Sequence, residues 1–168
     1  VPSEGAAKRS RTDRVPYEQW IREGLITATN GSAVDQGFIR EDINRIAREY
    51  RLRDLGFDEW NATKLSMELQ GDGIAVVKLR QGFRDLSEAT KHLSALVTGR
   101  ALKHGGHPLL RWMASNMVVK QNADGYLIPD KAKTTERIDG IVALIMGLSV
   151  GLRQKTPTEP TVLIVGGR

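Results

Sequence analysis

Thr134-Thr-Glu-Arg-Ile-Asp-Gly-Ile-Val-Ala-Leu-Ile-Met-Gly-Leu148 is the stretch on which the fold turns. It reads as a helix with a polar start. Thr134 or Thr135 is placed to cap the first free N–H groups, and Glu136 suits the positive end of the helix dipole. At about 100° per residue, Ile138, Ile141, Val142, Ile145 and Leu148 share one broad face. Ala143, Leu144 and Met146 extend that face most of the way round, and a helix apolar on nearly every side belongs in a core. Gly140, Ala143 and Gly147 form a smooth stripe where another backbone could approach closely. Asp139 breaks the pattern. Its direction falls between Ala143 and Met146, along a buried or cleft-lining sector, where a carboxylate is costly unless paired or metal-bound. The competing reading is a salt bridge or an exposed first-turn acid, and this stretch alone leaves both open.

The 168 residues suffice for one domain with its own core. There is no cysteine, which excludes a disulfide framework, a thiolate zinc site and a cysteine nucleophile. Three histidines, His92, His104 and His107, are too few for a histidine-rich metal centre. Lys and Arg number 25 against 20 Asp and Glu, an excess that permits a polyanionic partner. No apolar run reaches the roughly 18 residues of a membrane span. The stretch from Ile138 to Leu152 is shorter and carries Asp139 and three glycines. The charged start, residues 1–14, does not resemble a secretory signal.

Working back from the opening stretch, Pro129 to Lys133 leads into it. Met117 to Lys120 and Tyr126 to Ile128 flank Asn122-Ala-Asp-Gly125, a hairpin signature. Pro108 opens a helix through about Asn116, after a His104-Gly-Gly-His107 loop and a short strand at Arg100 to Lys103. Asp85 to Val97 is a helix with a buried stripe of Leu86, Ala89, Leu93, Leu96 and Val97. Asp85 and Glu88 resemble a capping box, and Gly99 ends the helix. Ile74 to Leu79 reads as a buried strand. Before it, Asn61 is placed to cap a helix from Ala62 to Gln70 that Gly71-Asp72-Gly73 stops. Arg53 to Phe57 is a short strand with Asp58 at its end. Phe38 to Tyr50 is an amphipathic helix buried through Ile39, Ile43, Ile46, Ala47 and Tyr50. Leu25 to Thr29 reads as a short strand before an Asn30-Gly31 turn. Pro16 opens a helix over Tyr17 to Glu23 that Gly24 ends. Residues 1–14 read as an extended or loosely helical solvated arm. Helix, strand, helix, strand is the grammar of a mostly parallel α/β sheet.

Walker-type phosphate loops and Gly-x-Ser-x-Gly elbows are absent from the sequence. Carboxylates remain. Asp58 follows a strand and precedes a helix, at the sheet end where ligands bind in α/β folds. Its plainer role is to cap the next helix, for which Asn61 is better placed. Two acids on separate elements at one sheet end, Asp58 and Asp139, can hold Mg²⁺, which takes oxygen ligands and keeps several waters. Two such ions can activate water and stabilise the leaving oxygen in phosphodiester cleavage. Lys131, Lys133 and Arg137 stand just before Asp139, where they can neutralise a DNA phosphate; otherwise they form an exposed basic loop.

Leu55-Gly-Phe-Asp-Glu-Trp-Asn-Ala62, Gly106-His-Pro-Leu-Leu-Arg-Trp-Met-Ala-Ser-Asn116, Pro129-Asp-Lys-Ala-Lys-Thr-Thr-Glu-Arg-Ile-Asp-Gly-Ile-Val-Ala-Leu144 and Val15-Pro-Tyr-Glu-Gln-Trp20 together resemble the C-terminal nuclease domain of tailed-phage terminase large subunits. The resemblance runs from about residue 10 to 150. It implies an α/β, ribonuclease H-like mixed sheet flanked by helices. It also implies a two-metal Mg²⁺ or Mn²⁺ endonuclease that cuts concatemeric DNA during packaging. Asp58 matches the second acid of the family's cluster and Asp139 the third. No strand before Asp58 carries the first acid, and Asp13 and Asp35 stand in the wrong context. The expectation is therefore a fold lacking its first strand or strands, an incomplete metal site, and a chain cut from a longer protein or a truncated prophage reading frame that also omits the ATPase motor. The implied partners are double-stranded DNA, the terminase small subunit and the portal, with no membrane, in the host bacterial cytoplasm at the procapsid. The expected division is a leading segment at 1–14, the nuclease domain at 15–152 and a tail at 153–168. The alternatives are a catalytically incomplete fragment that only binds DNA or packaging partners, and another ribonuclease H-like nuclease such as a junction resolvase.

Overall fold

Two strands and the helix that crosses them organise the molecule. The computed structural model describes residues 1–58, 63–134 and 136–153. Strand β1 (Leu55–Asp58) pairs in parallel with β2 (Val76–Leu79), with Asp58 opposite Leu79. Side chains alternate along a strand, so Leu55 and Phe57 face one way and Gly56 and Asp58 the other. Leu55 and Phe57 meet a small core of Leu65, Leu69 and Ile74. That core lies under α3 (Gln36–Glu49) and α4 (Thr63–Gly71). The opposite face meets α7 (Asp139–Arg153). A Cβ built at Gly56 would stand 3.0 Å from Leu79 Cδ1 and 3.1 Å from Val150 Cγ2, so the absence of a side chain sets how closely helix and strand approach.

The main core is built round α7. Ile145 is 0% exposed, and Ile141, Val142, Leu144, Met146, Leu148 and Val150 are buried beside it. They pack with Leu79, Ile128 and the Leu86–Ala89–Leu93 stripe of α5 (Phe83–Thr98). Ser149 Oγ donates to the Asp85 carbonyl at 2.6 Å, and Arg153 donates to the Asp85 carboxylate at 2.7 Å. These bonds tie the end of α7 to the start of α5. Burial opposes the charge on Asp85, but the Arg80 N–H and the Arg153 guanidinium overcome it and hold its carboxyl below the ordinary range. A hairpin of β3 (Val119–Gln121) and β4 (Leu127–Pro129) completes this side, antiparallel as the Asn122–Gly125 turn predicts. Among the described residues the strands thus form two separate two-stranded sheets within an α/β arrangement. No described helix is long and apolar enough to cross a membrane.

Several expectations from the sequence are corrected. The opening helix begins at Asp139, not at Thr134. Thr134 is used by the preceding turn, where its N–H and its hydroxyl both donate to the Asp130 carbonyl. Leu25 to Thr29 forms no strand, because Leu25 N–H and Ile26 N–H both donate to the Trp20 carbonyl as α2 (Tyr17–Arg22) unwinds. Only Thr29 pairs, in a parallel bridge to Pro2. Arg100 to Lys103 is likewise not a strand. Arg100 takes a left-handed φ of 53°, and Arg100 N–H and Ala101 N–H bond back to Val97 and Leu96, a helix-ending motif that consumes those donors. The N-cap of α5 is Gly82, and Asp85 reaches back to the Arg80 N–H at 2.9 Å in place of a capping box with Glu88. Val97, Ile46 and Tyr50, assigned to buried stripes, are exposed. The leading arm takes the helical form of the two expected, α1 (Ala6–Asp13), with no residue fully buried, and it is anchored at its start. In the small-residue stripe, Gly140 meets Met113 of α6 (Pro108–Ser115), while Ala143 and Gly147 are exposed. Asn61 and the tail from residue 154 lie outside the described residues.

The α3–α4 face carries one well-paired acid. Asp72 accepts from Arg40 Nε and from Asn44 Nδ2, both at 2.7 Å. The Arg40 and then the Asn44 hydrogen bonds lower its carboxyl from 3.8 to about 2. A depressed carboxylate contributes stability above its unfolded value, near pH 4, and that contribution is lost as pH falls through about 2. Asp72→Asn should therefore be less stable than the parent in urea titrations at pH 6, with the gap closing between about pH 4 and pH 2.

Candidate active site

The parallel register sends β1 and β2 out at the same sheet edge. Asp58 ends β1, and Gln81 follows two residues after Leu79 at the end of β2. Gln81 Nε2 donates to Asp58 Oδ2 at 2.6 Å. The other end of the same amide, Gln81 Oε1, accepts from Lys131 Nζ at 2.5 Å. One amide therefore links the half-buried Asp58 to the basic loop. Asp58 lies on the α7 side of the sheet, because it shares the face of Gly56.

Lys131 also lines the open cleft that holds Asp139. This cleft, about 630 Å³, lies between the end of α1, the loop before α7 and the first turn of α7. Thr12, Asp13, Lys131, Thr134, Glu136, Arg137, Ile138 and Asp139 line it. Asp139 is exposed on the cleft wall and not in the buried sector that its helical direction allowed. Starting the helix at Asp139 explains this, since the first turn projects beyond the core. Lys131 and Arg137 share the cleft with it, whereas exposed Lys133 does not line it. Lys131 thus reaches Asp58 only through Gln81 and shares the cleft lining with Asp139, while Asp58 does not line that cleft.

The loop is shaped by a buried acid that the sequence reading passed over. Asp130 is 5% exposed, and its carboxylate accepts the Ala132 N–H at 3.2 Å and faces Lys120 Nζ at 3.9 Å. Its carbonyl takes the N–H groups of Lys133 and Thr134. This tight turn leaves Lys131 pointing toward Gln81. The start of α7 is fixed by Met113, whose sulfur accepts the Gly140 N–H at 3.2 Å. Asn116 Nδ2 donates to the Arg137 carbonyl at 3.4 Å. Tyr17, Trp20 and Trp112 stack edge-on or tilted, with centroids 5.5 to 6.4 Å apart, and join α2 to α6 behind the cleft.

Asp13 was set aside in the sequence because it is on no strand. It nevertheless lines the cleft with Asp139 and Glu136. The donors are all carboxylates, chemistry suited to Mg²⁺ or Mn²⁺. Among the described residues, however, no group of three or more His, Cys, Asp or Glu side chains is arranged to hold a metal ion. Gln81 was also missed. Its signal was present in the paired strand ends, since a long side chain two residues past one parallel strand reaches the last residue of its neighbour.

Comparison with known proteins adds an independent line. The profile of a family described as "Terminase large subunit, endonuclease domain" matches residues 1–154. The large subunit of the terminase of Enterobacteria phage HK97 is 38% identical over 161 residues, 95% of this chain and 32% of that protein. Protein YmfN of Escherichia coli (strain K12) is 29% identical over 134 residues, 79% of this chain and 30% of that protein. The crystal structure of the HK97 bacteriophage large terminase superposes with a TM-score of 0.82 at 36% identity, over 89% of this chain and 32% of that one. The chain thus spans about a third of the length of the relatives it matches.

The cleft wall has a spectroscopic reporter. Burial, followed by the Asp13 carboxylate, pushes the Tyr17 hydroxyl above its ordinary value. In ultraviolet titration of the phenol, with Tyr17→Phe identifying the signal, Asp13→Asn should lower the pKa of Tyr17.

Proposed function

The chain belongs to the terminase large subunit endonuclease-domain family, and from that premise we propose that it is a divalent-metal DNA endonuclease acting through Asp58 and Asp139. The observation that carries the reading is the Asp58–Gln81–Lys131 chain, whose last member lines the Asp139 cleft. Asp58 and Asp139 would hold Mg²⁺ or Mn²⁺. When bound, the metal supplies activation of water and charge neutralisation at the phosphodiester. The chain's own residues do the rest. Gln81 fixes the Asp58 carboxylate through one hydrogen bond and holds Lys131 through another. Lys131 and Arg137 neutralise the phosphate that approaches Asp139, and Lys133 meets the backbone farther from the cleft. The Asp130 turn and the Met113 contact fix the loop and helix that carry these groups.

In the longer protein the substrate would be concatemeric phage DNA, cut as a capsid fills. The partners would be the terminase small subunit and the portal, and the place the host cytoplasm at the procapsid. The segment 15–152 would be the nuclease unit, with 1–14 leading into it. The second reading is a chain that binds DNA or packaging partners without cutting. It draws on the missing three-ligand group among the described residues.

Supercoiled plasmid with Mn²⁺ separates the two readings. The nuclease reading expects conversion to open circles that EDTA stops and that falls to the EDTA background in Asp58→Asn and Asp139→Asn. Gln81→Ala, which removes only the orienting amide, should slow nicking by about 10- to 100-fold. Undiminished cutting by Asp139→Asn would show the site assignment to be wrong. DNA binding by the parent with no nicking would favour the second reading.

A further inference from the structure

We propose that α1 is a separate phosphate-binding rail for duplex DNA, with Lys8, Arg9 and Arg11 gripping the backbone beside the Asp139 cleft. The choice of DNA as the polyanion rests on the endonuclease reading; the surface itself stands on four observations.

The first is the way α1 divides. Ala6, Ser10 and Asp13 are half-buried and fall on one side of the helix, while Lys8, Arg9 and Arg11 are exposed on the remainder. The single acid of the helix is turned inward, where its charge is felt by Tyr17. The second is anchorage. Ser3 N–H donates to the Thr29 carbonyl at 2.8 Å, Thr29 N–H to Val1 at 2.8 Å, and Glu4 N–H to Gly31 at 3.1 Å. Ser10 Oγ accepts the Glu18 N–H at 3.3 Å and joins α1 to α2. A purely solvated arm needs none of these bonds, whereas a rail that positions charge does.

The third is place. Thr12 and Asp13, in the last turn of α1, form one wall of the cleft. Lys8 and Arg9 are therefore one turn back from its rim. The fourth is the state of the cations. Among the described residues, Lys8, Arg9 and Arg11 make no ion pair with a carboxylate. On α3, by contrast, Arg40 is bound by Asp72, and Arg45 by Asp42 and Glu49. The unpaired set is available to an outside anion. Eight helical residues extend about 12 Å, and each strand of a duplex presents a phosphate charge about every 3.4 Å along the axis. One strand edge can thus engage all three cations while a neighbouring phosphate enters the cleft at Lys131 and Arg137.

The test is fluorescence anisotropy of a labelled 20-base-pair duplex in EDTA across a salt series, with the 168-residue chain. The triple variant Lys8→Ala, Arg9→Ala, Arg11→Ala replaces exposed helical residues by the best helix former, and circular dichroism verifies its fold. Its slope of log affinity against log salt should be shallower by nearly 3 units, about 0.9 per lost phosphate contact. At about 0.1 M salt its affinity should fall at least tenfold. Arg40→Ala with Arg45→Ala on α3 should leave the slope unchanged. An unchanged slope in the α1 variant overturns the proposal, as does an equal loss in the α3 variant. Binding of phosphatidylserine vesicles that needs the α1 cations, with no change in the duplex slope, would also overturn it. Because EDTA excludes cleavage, the α1-dependent slope is read whether or not the chain ever nicks a plasmid. Failure of the rail and failure of the nuclease reading are therefore told apart.

Discussion

The close approach of α7 to β1 at Gly56 is the contact on which the remaining geometry depends. A side chain there would push against Leu79 on one side and Val150 on the other. Any such displacement would lift α7 from the sheet, and α7 carries more buried residues than any other described element. It would also disturb the Ser149 and Arg153 bonds to Asp85 that hold the start of α5. The same face of the sheet carries Asp58 two residues on, so the packing that builds the core also sets the acid on the side of the helix that begins with Asp139. Core and candidate site are one arrangement seen at two ends.

That arrangement gives the polar groups little freedom. Gln81 is committed at both ends of its amide, to Asp58 and to Lys131. Asp130 spends its carbonyl and its carboxylate on shaping the loop. The groups left facing the cleft are Asp13, Glu136 and Asp139 with Lys131 and Arg137, a mixture of signs that suits a metal-bridged phosphate better than an apolar ligand. Likeness at a TM-score of 0.82 shows that this fold is shared with the HK97 bacteriophage large terminase.

Much of this was legible in the residues, and the misses have physical causes. Helices α3, α5 and α7 announce themselves by period, α6 by Pro108 and the hairpin by Asn122–Gly125, because local preference and tertiary structure point the same way there. The parallel pairing followed from the alternation of elements. Two short stretches, the β-branched Leu25 to Thr29 and Arg100 to Lys103, misled, since N–H groups at their starts are taken by the ends of the preceding helices. The start of α7 was misplaced because Thr134 looks like a cap while bonding to Asp130. In the site, Asp58 stood out at a strand end and Asp139 as an acid in an apolar helix, and the family resemblance raised both. Asp13 and Gln81 did not, because their proximity arises only when α1 folds back on the cleft and β2 lies beside β1. Contacts of that kind are tertiary, and no local period reports them.

The central claim is that the Asp58 and Asp139 carboxylates serve one metal site. Its most direct test is the anomalous scattering of crystals soaked in Mn²⁺. The account predicts manganese density bonded to oxygens of both carboxylates at about 2.0–2.6 Å, with Gln81 Nε2 released from Asp58 or still on its second oxygen. Manganese bound to only one of the two, with the other carboxylate outside any ligand shell, would contradict it.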